Sequence, residues 1–268
     1  MRVAHWTLAD IPWDRFDPAK VEPAILCLAK AASLVEQNGA DYTRYLCNVF
    51  ADDAEFQQAA RVWGEEEIRH GEALGRWATL ADPTFDHRAA CARFSAEFRV
   101  DLAAARSIRG SRAGELVARC IVETGTSSHY TALAEATREP VLRAICHRIA
   151  ADELRHYKLF YTHMKRYLAS ERLPLWNRLR IALGRIRESG DDELSYAYFV
   201  ANAAAGAAYD RRSAHRDYLA AAARVYCPHH VERAVAMTFK AVGLKPHGRL
   251  NLLASDLAWR ALRRRAAV

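Results

Sequence analysis

Two tetrapeptides constrain this chain more than any other feature: Glu67-Ile68-Arg69-His70 and Glu153-Leu154-Arg155-His156 each set a glutamate three residues before a histidine. Residues three apart lie on one side of a helix, so each carboxylate and imidazole can converge on one metal ion. Each pair also has a glutamate upstream at nearly the same distance: Glu36 lies 31 residues before Glu67, and Glu123 lies 30 residues before Glu153. A single Glu-x-x-His is expected roughly once by chance in a helix-rich chain of this size. Two copies, each preceded by a glutamate inside an apolar helical run, are far harder to obtain by accident. A chain carrying this phrase twice needs four helices whose inner faces meet.

The apolar periodicity supplies those helices. Over 23–50, Ala29, Ala32, Glu36, Ala40, Thr43, Cys47 and Phe50 follow the 3.6-residue period, so Glu36 points where the apolar stripe points. A second helix is expected over 53–81, with Phe56, Ala60, Trp63, Glu67, His70, Leu74 and Trp77 on one stripe and Asp82-Pro83 as its stop. Glu65, Glu66 and Glu72 fall partly off that stripe and read as mostly surface charge. A crossover follows, with a short helix over 87–106 that Gly110-Ser111 breaks. A third main helix over 112–137 aligns Leu116, Cys120, Glu123, Thr126, Tyr130 and Leu133; a fourth from Pro140 to about 170 aligns Ile145, Ile149, Glu153, His156, Phe160 and Met164. Ahead of them, residues 1–20 form an irregular leader whose Trp6, Trp13 and Phe16 are expected to pack on the bundle.

Beyond 170 the phrase does not return. Helices are expected over 175–188, 191–209, 213–226, 228–242 and 249–265, interrupted by Gly190, Pro228 and Pro246. The reading is therefore all-α: a ferritin-like four-helix bundle with its leader over 1–170, and a helical C-terminal extension over 171–268 packed on it as a substrate-covering layer or a dimer surface. A homodimer is the expected assembly. A glutamate from each of two helices plus a Glu-x-x-His from each of two others is the ligand set of the ferritin-like di-iron and di-manganese carboxylate bundles.

Four carboxylates and two imidazoles offer four negative charges to two divalent cations and leave coordination positions open. That donor set suits iron or manganese better than zinc, and open positions on ferrous iron bind dioxygen. Repeat symmetry assigns Glu36 and His70 to one metal, Glu123 and His156 to the other, and Glu67 and Glu153 to the bridge. Ligand histidines commonly donate their second N–H to a carboxylate; Asp152 is the candidate for His70 and Glu66 for His156. Arg69 and Arg155 either pair with those acids or form surface salt bridges. His229 and His230 read as surface histidines, because a metal site there lacks further ligands, and His129 and His147 lie off the ligand face.

These residues resemble a known family. Trp63-Gly64-Glu65-Glu66-Glu67-Ile68-Arg69-His70-Gly71, Ile149-Ala150-Ala151-Asp152-Glu153-Leu154-Arg155-His156 and Glu123-Thr124-Gly125-Thr126 are similar to the ligand stretches of the soluble acyl-acyl-carrier-protein desaturases, and Glu36 with Tyr42 fits a Glu and Tyr of their first ligand helix. The resemblance covers about 30–168. It implies an oxidase with two iron ions, or a manganese–iron pair, that takes two electrons from a ferredoxin-type donor. Such an enzyme cleaves the co-substrate dioxygen and removes hydrogens from an unactivated C–H bond. It places Thr126 beside the oxygen site as a proton-delivering residue, against the plain alternative of a packing threonine bonded to the carbonyl one turn back. It also implies an acyl chain on an acidic carrier protein, or another small apolar substrate.

Bulk properties bound the rest. The chain has 268 residues, 51% of them hydrophobic, with 12 Gly and 8 Pro, enough for a sizeable helical core. No apolar run reaches the ~20 residues of a spanning helix and no signal-peptide pattern opens the chain, so the expected location is the cytoplasm. The net charge of +7 suits an acidic partner, although much of it sits at Arg260 and Arg263-Arg264-Arg265, where a loose basic tail would account for it. No recognition motif for nucleic acid accompanies that charge. The six scattered cysteines read as small core hydrophobes. Two competing functions are a hydroxylase or N-oxygenase of a small metabolite, the N-oxygenase type having a third histidine where Ile149 stands, and iron handling or peroxide scavenging, for which a Cys-x-x-Cys pair is lacking here.

Overall fold

The computed structural model describes residues 5–98, 101–188, 193–204 and 206–266, and its regular structure is entirely helical. Three short 3-10 turns in the leader, from Leu8 to Lys20, precede α1 (Pro23–Gln37), α2 (Gly39–Val49), α3 (Ala54–Ala81), α4 (His87–Glu97), α5 (Arg112–Ala136) and α6 (Pro140–Glu171). The C-terminal extension contains α7 (Leu175–Glu188), α8 (Glu193–Asn202), α9 (Arg211–Val225), α10 (Pro228–Val242) and α11 (Arg249–Ala266). None of the described helices is long and apolar enough to cross a membrane.

Local chemistry sets the helix ends. Asp53 Oδ1 accepts the Phe56 N–H at 3.0 Å to start α3, Asp86 caps α4 and Ser111 caps α5 in the same way. Glu139, fully buried at the head of α6, accepts from both Leu142 N–H and the Trp77 indole N–H at 2.7 Å. That carboxylate ties the start of α6 to the end of α3.

The helix expected over 23–50 is two helices. Asn38, at φ −79° and ψ 0°, interrupts the regular ladder two residues after Glu36, and α2 resumes at Gly39. The break lies where α1 and α2 must pass close over α3. A Cβ on Gly39 would sit 2.5 Å from the Cβ of Glu67. Two further boundaries and one placement differ. α4 stops at Glu97 rather than continuing to 106, α8 stops at Asn202 rather than 209, and the arginines Arg260, Arg263 and Arg264 ride on α11 rather than a loose tail. Gly190 and the start of the helix expected at 191 lie outside the described residues.

α1 packs on α3, α5 on α6, and α3 on α6, with α2 completing the α1 layer over α3. α8 covers α1, while α7 and α10 cover α5. The core is two apolar clusters rather than one. Leu28, Leu74, Trp77, Tyr130, Ile145 and Ile149 belong to the first; Phe50, Phe56, Trp63, Cys120, Phe160 and Met164 belong to the second. On α3, α5 and α6 the boundary between them falls at the same place. The Glu-x-x-His residues separate Trp63 from Leu74 on α3 and Ile149 from Phe160 on α6, and Glu123 separates Cys120 from Tyr130 on α5. A polar layer therefore cuts the hydrophobic interior.

One outlying ion pair makes a test of the α1–α3 contact. Lys30 on α1, nearly buried and 4.8 Å above the Phe85 ring, reaches Asp82 Oδ2 at 2.5 Å, and Thr84 donates to the other oxygen at 2.6 Å. The Lys30 bond and the Thr84 hydroxyl hold the Asp82 carboxyl down to about 2. A depressed carboxyl pKa stabilises the fold above the unfolded value and loses that contribution as pH falls through the folded one. The melting-temperature deficit of Asp82→Asn is therefore expected to be full at pH 6 and to shrink toward zero between about pH 4 and pH 2.

Candidate metal centre

Glu67 and His70 come from the middle of α3, Glu153 and His156 from the middle of α6, Glu36 from the last turn of α1 and Glu123 from α5. All six are buried, none more than 8% exposed. The structure brings them together as two groups that share two members. Glu36, Glu67, His70 and Glu153 form one; Glu67, Glu123, Glu153 and His156 form the other; within each, one donor atom per residue lies within 4.8 Å of the rest. His70 Nδ1 is 3.5 Å from Glu36 Oε2 and 3.3 Å from Glu153 Oε1, and His156 Nδ1 is 3.0 Å from Glu67 Oε1 and 3.7 Å from Glu123 Oε2.

The outer faces of the imidazoles are fully committed. His70 Nε2 lies 3.0 Å from Asp152 Oδ2 and His156 Nε2 lies 2.8 Å from Glu66 Oε2. A carboxylate can only accept, so each Nε2 carries the proton and each Nδ1 turns its lone pair inward. Glu66 is thus buried beside His156, not surface charge. Arg155 joins the two acids, bonding Asp152 and reaching Glu66 Oε1 at 2.8 Å. Burial opposes ionisation of both acids, but His156 and Arg155 hold Glu66, and His70 and Arg155 hold Asp152, down to about 2.

Inside, one atom of every member is left over. Glu36 Oε2, Glu67 Oε1, His70 Nδ1, Glu123 Oε1, Glu153 Oε1 and His156 Nδ1 are buried without a hydrogen-bond partner. Buried polar groups are nearly always satisfied, and each orphan costs about 1–3 kcal/mol. Six orphans converging on one space, all lone-pair donors, fit cations. The electrostatics agree. Burial, with the Glu153 charge, pushes Glu123 up to about 8, while burial and the charges of Glu153 and Glu36 raise Glu67 well above the carboxylate range. Burial pushes Glu153 up, but the two imidazoles beside it outweigh that and hold it well below the carboxylate range. Both imidazoles are raised against the effect of burial by the acids around them. Four carboxylates in a dry layer seek more positive charge than two imidazoles supply.

The family model for fatty acid desaturase matches residues 33–174, just over half of the chain and all six of these side chains. The chain belongs to the fatty acid desaturase family. Membership makes the protein an oxidoreductase of the desaturase type whose buried carboxylate–imidazole groups are able to bind metal ions. No curated protein matches the chain. The desaturase match ends just before α7, so the helices α7–α11 lie beyond it.

Several desaturase-like residues take positions the sequence did not specify. Thr126 Oγ1 lies 2.6 Å from Glu153 Oε2 and 3.2 Å from the Val122 carbonyl. One hydroxyl has one proton, and the shorter, charge-assisted contact takes it, so Thr126 donates to Glu153 rather than one turn back. Arg69 forms no ion pair among the described residues; its guanidinium lies 5.7 Å from the Trp6 ring centre. Tyr42 bonds Glu193 at 3.2 Å instead of a ligand. The tyrosine at the centre is Tyr130, whose hydroxyl donates to Glu36 Oε1 at 2.5 Å. Its only sequence signal was a place on the Glu123 face two turns on.

The leader contributes two residues that periodicity could not reveal. Trp6 stacks on His70 at 5.9 Å and 7° and donates its indole N–H to Asp152 Oδ2 at 2.8 Å, while His5 bonds Glu66. Trp63 meets His156 edge-on at 6.4 Å. Each inner imidazole is therefore braced by an acid and a tryptophan. His230 is also corrected: it is buried, and with His229 it points Nε2 at Glu135 Oε2, 3.0 Å from each ring. His230 Nδ1 accepts the Cys227 N–H at 2.9 Å, so its proton is on Nε2 and the ring serves as a helix cap. Ile149, where an N-oxygenase would carry a third histidine, is fully buried in the apolar cluster. Of the six cysteines, all unpaired, Cys120 and Cys146 are buried but Cys227 is exposed.

Proposed function

We propose that the protein is an oxygen-activating, non-haem di-iron oxidase that attacks an unactivated C–H bond of an acyl or other apolar substrate. In this reading Glu36 and His70 would hold one iron and Glu123 and His156 the other, with Glu67 and Glu153, which belong to both donor groups, serving both. The convergence of six orphaned buried donor atoms, one per residue, carries it. Bound iron would supply redox equivalents and open positions for dioxygen, which no side chain of this set can provide.

The protein's own groups have definable parts. Asp152 and Glu66 fix the imidazole tautomer, so Nδ1 is always the free donor. Thr126 donates its hydroxyl proton to Glu153 at the edge of the site, and Tyr130 donates its own to Glu36, so each proposed ligand has a proton at hand. The two apolar clusters above and below exclude water from the layer. The sequence Trp6–Asp152–His70 links the leader to a proposed ligand and gives electrons from a ferredoxin-type donor a bonded route inward. An acyl carrier protein, being acidic, suits the net charge of +7, and the assembly proposed is a homodimer.

A second reading, hydroxylation of a small polar metabolite, is favoured by one observation. Arg119, one turn before Glu123 on α5, is only 6% exposed and sits 4.7 Å over the Tyr42 ring. Its guanidinium, which also faces Glu115 Oε1 at 3.6 Å, puts a buried charge within one turn of the proposed ligand Glu123. Anaerobic loading with ferrous iron followed by oxygen, with mass spectrometry of carrier-linked and free acyl substrates, separates the cases: loss of two hydrogens supports desaturation, and gain of one oxygen supports hydroxylation. Uptake of far more than two irons per chain would remove the oxidase reading altogether.

Asp152→Ala tests the supporting shell. It removes the partner of His70, Trp6 and Arg155 together and is expected to weaken metal affinity about 10–100-fold, measured by competition with a chelator. Unchanged affinity would mean that His70 is not held as a ligand.

A further inference from the structure

We propose that the C-terminal extension docks on an anionic phospholipid surface through the outward faces of α7 and α11. α11 turns two polar side chains inward, beside the half-buried Ala254, Ala258 and Leu262, and leaves leucines outside. Asn251 is fully buried and Ser255 is 9% exposed, facing inward, while Leu250, Leu253 and Leu257 are 68%, 57% and 57% exposed. At 100° per residue these three leucines, with Arg260 and Arg264, fall within an arc of about 80°. Both arginines are exposed. The stripe is apolar and cationic at once.

α7 repeats the pattern independently. Trp176 is 80% exposed and Leu183 54%, and they share an arc of about 60° with the exposed Arg180 and Arg187. Both helices lie against α10. Soluble helices put leucine inward and leave arginine out; helices lying in a bilayer interface put Leu and Trp into the lipid and let Arg side chains reach the headgroups. Here arginines interleave with the apolar residues, and the neighbouring acid on α11, Asp256, is already paired with Arg260 at 2.9 Å. A second copy of this chain, itself carrying +7, would set these guanidiniums against their own counterparts across a two-fold axis. Lipid phosphates provide the complementary charge. The inference does not depend on the chemistry assigned to the metal centre.

The test is co-sedimentation of the full chain with vesicles of phosphatidylcholine alone and with about one-third phosphatidylglycerol. Binding to the mixed vesicles, lost at high salt, is expected. Arg260→Ser/Arg264→Ser should weaken it about thirty-fold, as follows from ~1 kcal/mol for each arginine at an anionic surface. Leu253→Ser/Leu257→Ser and Trp176→Ser/Leu183→Ser should each reduce it, with melting temperatures unchanged because all four residues face outward. Equal binding to both vesicle types, binding to neither, or a dimer seen by sedimentation that the leucine pair dissociates would overturn the proposal. Full binding by the Trp176→Ser/Leu183→Ser variant would overturn the part assigned to α7.

Discussion

Glu153→Ala is expected to take the chain from two bound metal ions to one or none, measured by elemental analysis after reconstitution with ferrous iron. Among the described residues Glu153 is the only carboxylate within 4 Å of both inner imidazole nitrogens, at 3.3 Å from His70 and 3.8 Å from His156, and it also anchors Thr126. Its loss removes a donor from both groups at once. In the metal-free protein Glu153 faces both imidazoles and accepts from Thr126, so the metal-free variant should melt lower than metal-free wild type. Metal at about a thousandfold over its dissociation constant adds ~4 kcal/mol to a folded binding protein, which is roughly 8–16 °C in a domain of this size. Wild type should show that rise and the variant should not. A variant that keeps both ions and the full rise would dissolve the bridging assignment.

Gly39→Ala should damage the same centre without touching a polar atom. The new Cβ would lie 2.5 Å from Glu67 Cβ and 3.5 Å from the Gly64 carbonyl oxygen. Neither is the loose end of a side chain, so α2 must lift from α3 or Glu67 must move. Overpacking of this kind costs about 1–3 kcal/mol, against at most ~1 kcal/mol gained from alanine's better helix propensity. The balance is destabilising, and the displaced carboxylate should lower metal stoichiometry. Gly125→Ala is the matched control. No atom lies within 4 Å of its would-be Cβ on exposed α5 surface, so only the propensity gain remains, and a slightly higher melting temperature with full metal content is expected.

The contrast between these glycines shows where sequence reading stopped. Both lie in helices and near ligands, and nothing in the local pattern distinguishes a notch that admits a neighbouring helix from a bare surface position. Arg69 and Arg155 make the same point. They occupy equivalent places before equivalent histidines, yet Arg155 clamps Glu66 and Asp152 while Arg69 lies by Trp6. The leader breaks the symmetry of the repeat, because its Trp6 packs on His70 and beside Arg69 whereas His156 meets Trp63 of α3. Tyr130, too, could be placed on the right face from its spacing, but its bond to Glu36 joins residues 94 apart.

What the sequence by itself determined was the set of helices and the six side chains that meet in their midst. Both follow from the 3.6-residue period, which fixes the face of a residue on its own helix from a few neighbours. The break at Asn38, the docking of His5 and Trp6, the partner of each arginine and the outward leucines of α11 were decided only by tertiary structure. They depend on how helices are rotated and spaced against one another, which is settled by close approach across gaps of a few ångströms between segments far apart in the chain.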